Sequence, residues 1–101
     1  MKGCSIGEFI DSILSCGGPE IEFVFRDKFY FLETMYREKE KQLELHIDEY
    51  SNKNPKEKAF IRTVSFWGKT FAECVREFEK SKIFDGLTIY EAEAEIEVLF
   101  G

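Results

Sequence analysis

The chain has 101 residues, enough for one hydrophobic core, and we expect a single domain over residues 1–101. Its 14 basic and 20 acidic residues give a net charge of -6. This balance disfavours nucleic-acid binding, in which contacts to phosphate dominate affinity. The three cysteines include no Cys-x-x-Cys pair, which argues against a disulfide framework or a zinc ribbon.

The chain is expected to be cytoplasmic and independent of membranes. Its apolar runs are shorter than the roughly 20 residues that a membrane-spanning helix needs. Glu8 and Asp11 interrupt the N-terminal segment, which therefore does not resemble a signal peptide.

The N-terminal segment predicts a helix. Ser5 and Glu8 have the spacing of a capping box, in which each side chain accepts a backbone N–H of the other residue. The apolar residues that follow lie on one helical stripe: Ile6, Phe9, Ile10, Ile13 and Leu14. Gly17-Gly18-Pro19 predicts the end of this helix.

The segment from Glu20 to Leu32 predicts a β-hairpin. Two short runs of aromatic and β-branched residues flank a polar Arg-Asp-Lys connection. If Asp27 and Lys28 form a two-residue turn, the predicted cross-strand pairs are Phe25 with Tyr30, Phe23 with Leu32 and Ile21 with Thr34.

Both faces of this hairpin are apolar. The first face carries Ile21, Phe23, Phe25, Tyr30 and Leu32, and terminal helices are expected to cover it. The second carries Val24, Phe29, Phe31 and Met35, together with Glu22 and Glu33. Helices on one side cannot bury both faces, so an open patch around Phe29 and Phe31 would bind a partner or form a homodimer. A different hairpin register, or coverage by the C-terminal segment, is the alternative.

Two further strands and a second helix follow. Leu43, Leu45 and Ile47 alternate with Glu44, His46 and Asp48, which predicts a half-buried antiparallel strand. Residues 51–58 have the composition of a loop, and residues 59–67 predict a strand whose core-facing side is left open. Thr70 and Glu73 form a second potential capping box, before a helical stripe comprising Phe71, Cys74, Val75 and Phe78. This helix is expected to end near residues 80–82.

The last segment fits two structures. Thr88 and Glu91 form a third potential capping box, entered through Asp85-Gly86. Residues 91–98 alternate as a strand would, whereas Ile89, Ala92, Ile96 and Leu99 have helical spacing. Because Ala and Glu favour helices, we predict a helix here. The predicted class is α+β, in the order α-β-β-β-β-α-α, with an antiparallel meander sheet and helices packed mainly on one face.

The segment Ile83-Phe-Asp-Gly-Leu-Thr-Ile-Tyr-Glu91 resembles a tail found in small bacterial proteins of unassigned function. That tail reads hydrophobic-Asp-Gly-Lys-Thr-Leu-x-Glu and follows an N-terminal helix and an aromatic-rich β-meander. Leu87 replaces the usual Lys, and Ala92 replaces a larger apolar residue. The resemblance implies an α+β fold and a cytoplasmic setting, which includes mobile genetic elements, and it supplies no catalytic residues.

The negative charge is concentrated at the C-terminal end. Residues 1–84 contain 14 basic and 15 acidic residues, and residues 85–101 contain five acidic and no basic ones. On a helix, Glu91/Glu95 and Glu93/Glu97 would be like-charge pairs that each cost about 0.2–0.5 kcal/mol. A docking surface for a basic partner, formed by Glu91, Glu93, Glu95 and Glu97, would explain this cost. A solvated acidic helix is the alternative.

Catalytic candidates are few. Glu44, His46 and Asp48 share one strand face and could bind a divalent cation weakly, although such faces are more often simply solvated. Cys74 is expected in the core, while Cys4 and Cys16 are uncommitted thiols. The leading hypothesis is a non-catalytic, inhibitor- or immunity-like interaction protein that has no cofactor and no metal. The alternative is a small metal-dependent or enzymatic module that uses Glu44, His46 and Asp48.

Overall fold

The computed structural model describes residues 1–15, 20–52 and 59–100, apart from the side chain of residue 100. The predicted Gly17-Gly18-Pro19 stop, Cys16 and most of the predicted loop over 51–58 lie outside these residues. The elements follow in the order α1 (Ile6–Leu14), β1 (Ile21–Phe25), β2 (Lys28–Arg37), β3 (Gln42–Tyr50), β4 (Phe60–Gly68), α2 (Phe71–Lys80), α3 (Ile89–Ala92), a 3₁₀ turn (Glu93–Glu95) and β5 (Ile96–Phe100).

The five strands form one antiparallel sheet in the order β4-β3-β2-β1-β5. β1 to β4 are a meander, and β5 returns to pair with the free edge of β1. The predicted α+β class and the first four strands are confirmed. No helix in the described ranges is both long enough and apolar enough to cross a membrane.

The prediction of a C-terminal helix over residues 91–100 is wrong beyond its first turn. α3 ends at Ala92, and the chain enters β5 at Ile96. Ile96 pairs with Phe25 and is buried, and Val98 pairs with Phe23. The strand is favoured because the edge of β1 offers backbone hydrogen bonds and a place in the core for alternate side chains, which overrides local helix propensity.

The hairpin register differs from the predicted one by two residues. Ile21 pairs with Leu32, Phe23 with Tyr30 and Phe25 with Lys28, so the turn residues are Arg26 and Asp27. Because side chains alternate along a strand, a two-residue shift leaves each of them on its predicted face.

The core lies between the helices and one face of the sheet. Phe84 packs near four aromatic rings, at centroid distances of 6.0 Å from Phe23, 5.7 Å from Phe25, 5.2 Å from Tyr30 and 6.3 Å from Phe78. α1 joins this cluster through Phe9, whose ring meets Phe23 edge-on at 5.5 Å. β4 faces the core with Val64 and Phe66, which settles the orientation that the sequence leaves open.

Two of the three predicted capping boxes are present, at Ser5/Glu8 and Thr88/Glu91. The third is only half formed. Thr70 accepts the Glu73 N–H at 3.2 Å, but the Glu73 carboxylate accepts the N–H of Lys69, at 2.5 Å, in place of that of Thr70. The prediction of a complete box at Thr70 is therefore wrong.

Candidate functional site

The face of the sheet that points away from the core cluster is here called the open face. Phe31 lies near its centre, with Glu22 opposite on β1 and Asp48 opposite on β3. Glu33 lies two residues further along β2 and therefore projects from the same face. Phe31 is half-buried and has three carboxylate residues as neighbours on this face.

Three carboxylates associated with this face are uncommitted. Glu22 and Glu33 flank Phe31, and Glu97 pairs with Val24 where β5 joins β1. Within the described part of the chain, none of the three takes part in a hydrogen bond or an ion pair. The charge of Glu33 acts on Arg37, whose pKa it helps to raise after the larger effect of the Glu44 hydrogen bond.

The four tail carboxylates do not form the single surface that the sequence predicts. Glu91 closes the capping box of α3: its carboxylate accepts the Thr88 N–H at 3.0 Å, and its own N–H donates to Thr88 Oγ1 at 3.2 Å. The hydrogen bond from the Thr88 backbone is the main cause that lowers the pKa of the Glu91 carboxyl. Glu95 accepts from Arg26 at 2.8 Å and 3.0 Å. Glu93 is half-buried in the 3₁₀ turn, and only Glu97, on β5, reaches the open face.

Phe29 and Phe31, the two aromatic residues predicted to contact a partner, differ in burial. Phe29 is only 3% exposed, and its ring meets that of Tyr50 edge-on at 5.8 Å. Tyr50 in turn meets Phe60 at 5.8 Å. The expectation that Phe29 is an accessible partner contact is therefore wrong, because the aromatic row across β2, β3 and β4 buries it. Phe31 is half-buried, and its role as a partner contact stays a prediction.

Glu44, His46 and Asp48 are brought together on the open face, as the strand alternation predicts. His46 Nδ1 lies 3.0 Å from Glu44 Oε2, and His46 Nε2 lies 3.0 Å from Asp48 Oδ1. Both neighbours are carboxylate oxygens, so the ring satisfies both contacts only when both of its nitrogens carry protons. Burial acts to lower the pKa of His46, but the hydrogen bonds and charges of Glu44 and Asp48 outweigh it and raise that pKa.

The rest of this cluster was not anticipated from the sequence. Glu44 is 4% exposed, and it accepts from Arg37 Nε at 2.7 Å and from the Ser65 hydroxyl. Burial acts to raise the pKa of Glu44, and the hydrogen bonds from Ser65, Arg37 and His46 reverse the shift and lower it. Thr63 donates to Asp48 Oδ1 at 2.6 Å.

The carboxylates of this cluster are thus occupied by donors of the protein itself. Among the described residues, no group of three or more His, Cys, Asp or Glu side chains is arranged to hold a metal ion. The chemistry of Glu44, His46 and Asp48 is that of a hydrogen-bonded ion cluster that positions Asp48 next to Phe31.

A second cluster lies on the core side of the sheet and holds the Asp85-Gly86 turn. Asp85 and Gly86 both have positive φ angles, 53° and 83°, and Phe84 and Leu87 exchange backbone hydrogen bonds around them. The Asp85 carboxylate binds Lys28 Nζ at 2.5 Å and Arg26 Nη1 at 3.2 Å. The Asp-Gly pair of the tail segment therefore has a structural role, since it anchors this turn to the β1–β2 hairpin.

The described cysteines are poor candidates for nucleophiles. Cys74 is buried in the core, as predicted, and its thiol donates to the Leu43 carbonyl at 3.5 Å. Burial raises the pKa of both Cys74 and Cys4. A raised pKa reduces the thiolate fraction on which nucleophilic chemistry depends.

No family model, curated protein or solved structure matches this chain.

Proposed function

We propose that this protein is a non-catalytic interaction module that binds a basic protein surface on its open face, around Phe31. The observation that supports this proposal most directly is the set of uncommitted carboxylates at Glu22, Glu33 and Glu97. A sheet face that served only stability would be expected to pair such charges with neighbouring Lys or Arg side chains.

Phe31 and its neighbours have the chemistry to receive a cationic side chain. A guanidinium or ammonium group over the Phe31 ring would gain about 0.5–1 kcal/mol at an exposed site and about 2 kcal/mol if desolvated. Glu22 and Glu33 flank this ring on β1 and β2 and could form charge-assisted hydrogen bonds with the same group. An Arg or Lys of the partner would therefore contact an aromatic ring and carboxylates at once.

Long-range electrostatics would favour the same partner. The net charge of -6 attracts a basic protein before contact and accelerates the encounter. The proposed docking surface differs from the C-terminal helix expected from the sequence, because Glu91 and Glu95 are engaged within the fold and Glu97 reaches the open face. Glu93 has no ion pair within the described residues and would lie beside the contact rather than within it.

The proposal includes the setting predicted from the sequence. We place the protein in the cytoplasm, among the small bacterial proteins that its Ile83–Glu91 segment resembles. The partner class that fits an acidic docking face is a nucleic-acid-binding protein or a toxin-like enzyme with a cationic surface. The alternative of an enzymatic or metal-dependent module at Glu44, His46 and Asp48 has no specific support, because donors of the chain already occupy both carboxylates.

The test measures binding of a fluorescently labelled arginine-rich peptide to the full chain. Reversing Glu22 and Glu33 to Lys together is expected to raise the Kd at least about tenfold, equivalent to about 1.4 kcal/mol. The matched control reverses Glu38 and Glu40, which are exposed in the β2–β3 turn, to Lys. It changes the net charge equally and is expected to raise the Kd only about two- to threefold, through the overall field.

Two further measurements sharpen the test. Phe31→Ala is expected to weaken binding without any change of charge, and binding by the unmodified chain should weaken as salt is raised. Equal losses in the two charge-reversed variants would mean that the peptide responds only to net charge. That outcome, or binding that is insensitive to salt, would contradict the proposed docking face.

A further inference from the structure

The two edges of the sheet are not equally protected. At the β5 edge, the Lys2 N–H donates to the Ile96 carbonyl at 2.9 Å, and the Val98 N–H donates to the Lys2 carbonyl at 2.8 Å. At the other edge, β4 has β3 as its only strand partner within the described ranges. Alternate residues of the nine-residue strand β4 therefore present unpaired backbone donors and acceptors at this edge.

β4 lacks most features that keep sheet edges apart. Natural edge strands usually carry Lys or Pro, or are interrupted by bulges. Here a register irregularity lies only at the start of the strand, beside Tyr50, and residues 62–68 pair regularly with β3. Segment 59–72 has no acidic residue and two cations, Arg62 and Lys69. Lys69 follows the end of β4, and the guanidinium of Arg62 is committed to Glu49 at 3.0 Å and to the Ile83 carbonyl at 3.1 Å.

The same strand exposes apolar side chains. The exposed large apolar residues on β4 are Phe60 (55%), Ile61 (45%) and Trp67 (39%). On the other face of the strand, Val64 and Phe66 contact the core but are only half-buried. A strand added to this edge would therefore remove apolar surface from water on both sides of the sheet.

We propose that β4 pairs antiparallel with β4 of a second copy of this chain, about a two-fold axis. A pairing centred on Val64 aligns the regular residues 62–66 of the two copies with each other. Ile61, at the bulge, then lies near Trp67 of the other copy at both ends of the pairing. The two sheets then become one continuous sheet, and no unpaired charge of either strand is buried.

The charge distribution favours this edge over the open face as the contact between copies. β5 lies four strand spacings from β4, or about 19 Å at ~4.8 Å per spacing. In the β4-paired dimer the two copies of Glu97 are therefore about 40 Å apart, far beyond the ~8 Å Debye length at physiological salt. A dimer through the open face would instead bring Glu22, Glu33 and Glu97 of both copies together.

Sedimentation velocity over about 1–100 µM tests the pairing. We expect a concentration-dependent species of twice the chain mass of 11.9 kDa. Trp67→Lys and, separately, Ile61→Lys are each expected to raise the dimer Kd at least about tenfold, because a lysine on an edge strand opposes pairing. The matched control is Leu14→Lys on α1, which removes a side chain of similar exposure (40%) and should leave the dimer unchanged.

Amide hydrogen exchange of the unmodified chain provides a measurement that needs no variant. Exchange of β4 amides is expected to slow between dilute and concentrated samples, while that of β5 amides stays the same. A monomer throughout the concentration range overturns the proposal, as does a dimer that both lysine variants retain. This outcome is independent of the docking face, which the peptide experiment tests separately.

Discussion

Removing the hydroxyl of Tyr30 tests whether the buried polar cluster on the core side stabilises the fold. Tyr30 is 1% exposed, and its hydroxyl donates to Glu49 Oε2 at 2.8 Å. Glu49 is itself 3% exposed and also accepts from Arg62 Nε at 3.0 Å. In Tyr30→Phe the ring keeps its place, stacked on Phe23 at 5.0 Å, so the lost interaction is the hydrogen bond alone.

The expected cost follows from the charge and burial of the acceptor. A hydrogen bond to a charged group contributes about 1.5–3 kcal/mol to stability, against about 1 kcal/mol for a neutral pair. Removal of this donor leaves Glu49 with Arg62 and, at 3.9 Å, with Lys28. We therefore expect Tyr30→Phe to lower the free energy of unfolding by about 2 kcal/mol, which corresponds to a Tm decrease of about 8–16 °C.

Urea denaturation followed by far-UV circular dichroism measures this change. With an m-value of about 1–2 kcal/mol/M, the midpoint should fall by about 1–2 M at constant m. The control is Tyr36→Phe: Tyr36 is 57% exposed, and loss of its hydroxyl should change stability by less than about 0.5 kcal/mol. A loss below about 0.5 kcal/mol in Tyr30→Phe as well would refute the assignment of a stabilising role to this hydrogen bond.

Tyr30→Phe should also change how the free energy of unfolding depends on pH in the alkaline range. Burial, followed by the hydrogen bond and charge of Glu49, raises the pKa of Tyr30 far above its ordinary value of 10.0. The unfolded chain therefore ionises this tyrosine first, and the stability is fully present below about pH 10 and decreases as pH rises further. Tyr30→Phe should show a shallower decrease than Tyr36→Phe under the same conditions.

Two further predictions concern the open-face cluster and the N-terminal contact with β5. Because the pKa of His46 is raised in the folded state, its contribution should be full below about pH 6.5 and lost as pH rises through the folded value. Urea midpoints from about pH 5 to 9 should show this loss, and His46→Gln should flatten it; an equal slope in the variant would contradict the ion cluster. Gly3 has φ +97° and a Cβ there would lie 2.6 Å from the Val98 carbonyl oxygen, so Gly3→Ala should cost about 1–2 kcal/mol and accelerate amide exchange at Val98. Gly7→Ala in α1, where the nearest atom is 3.9 Å away, should instead stabilise by up to about 1 kcal/mol, and unchanged exchange in Gly3→Ala would disprove the contact.

Local patterns in the sequence predict much of this fold. The stripes of α1 and α2 and the alternation of β3 each depend on one surface meeting the core, and each is present. The hairpin register could not be obtained in this way. Arg26 adopts φ 54°, an unfavourable conformation for its residue type, at a turn where its guanidinium binds Glu95 and Asp85. These partners are more than 50 positions away in the sequence. Turn propensities depend only on neighbouring residues, so they could not predict this turn.

In the candidate site, too, features that depend on neighbouring residues could be predicted from the sequence, and contacts with distant strands could not. The alternation along β3 places Glu44, His46 and Asp48 together, but the burial of Glu44 depends on Arg37 and Ser65 from the neighbouring strands. Likewise, the excess of carboxylates in the tail is visible in the sequence. Their separation into capping, ion-paired and accessible groups depends on where β5 meets β1.

β3 carries one buried carboxylate on each of its surfaces, Glu44 on one and Glu49 on the other. Glu44 forms an ion pair with Arg37 on β2, and Glu49 forms one with Arg62 on β4. Sliding β3 by two positions would part both anions from their cations, and sliding it by one would exchange their surroundings. A misaligned pairing of the central strands would therefore leave buried carboxylates without their cations. Because a buried unpaired charge is strongly destabilising, misaligned sheets are disfavoured relative to the native register.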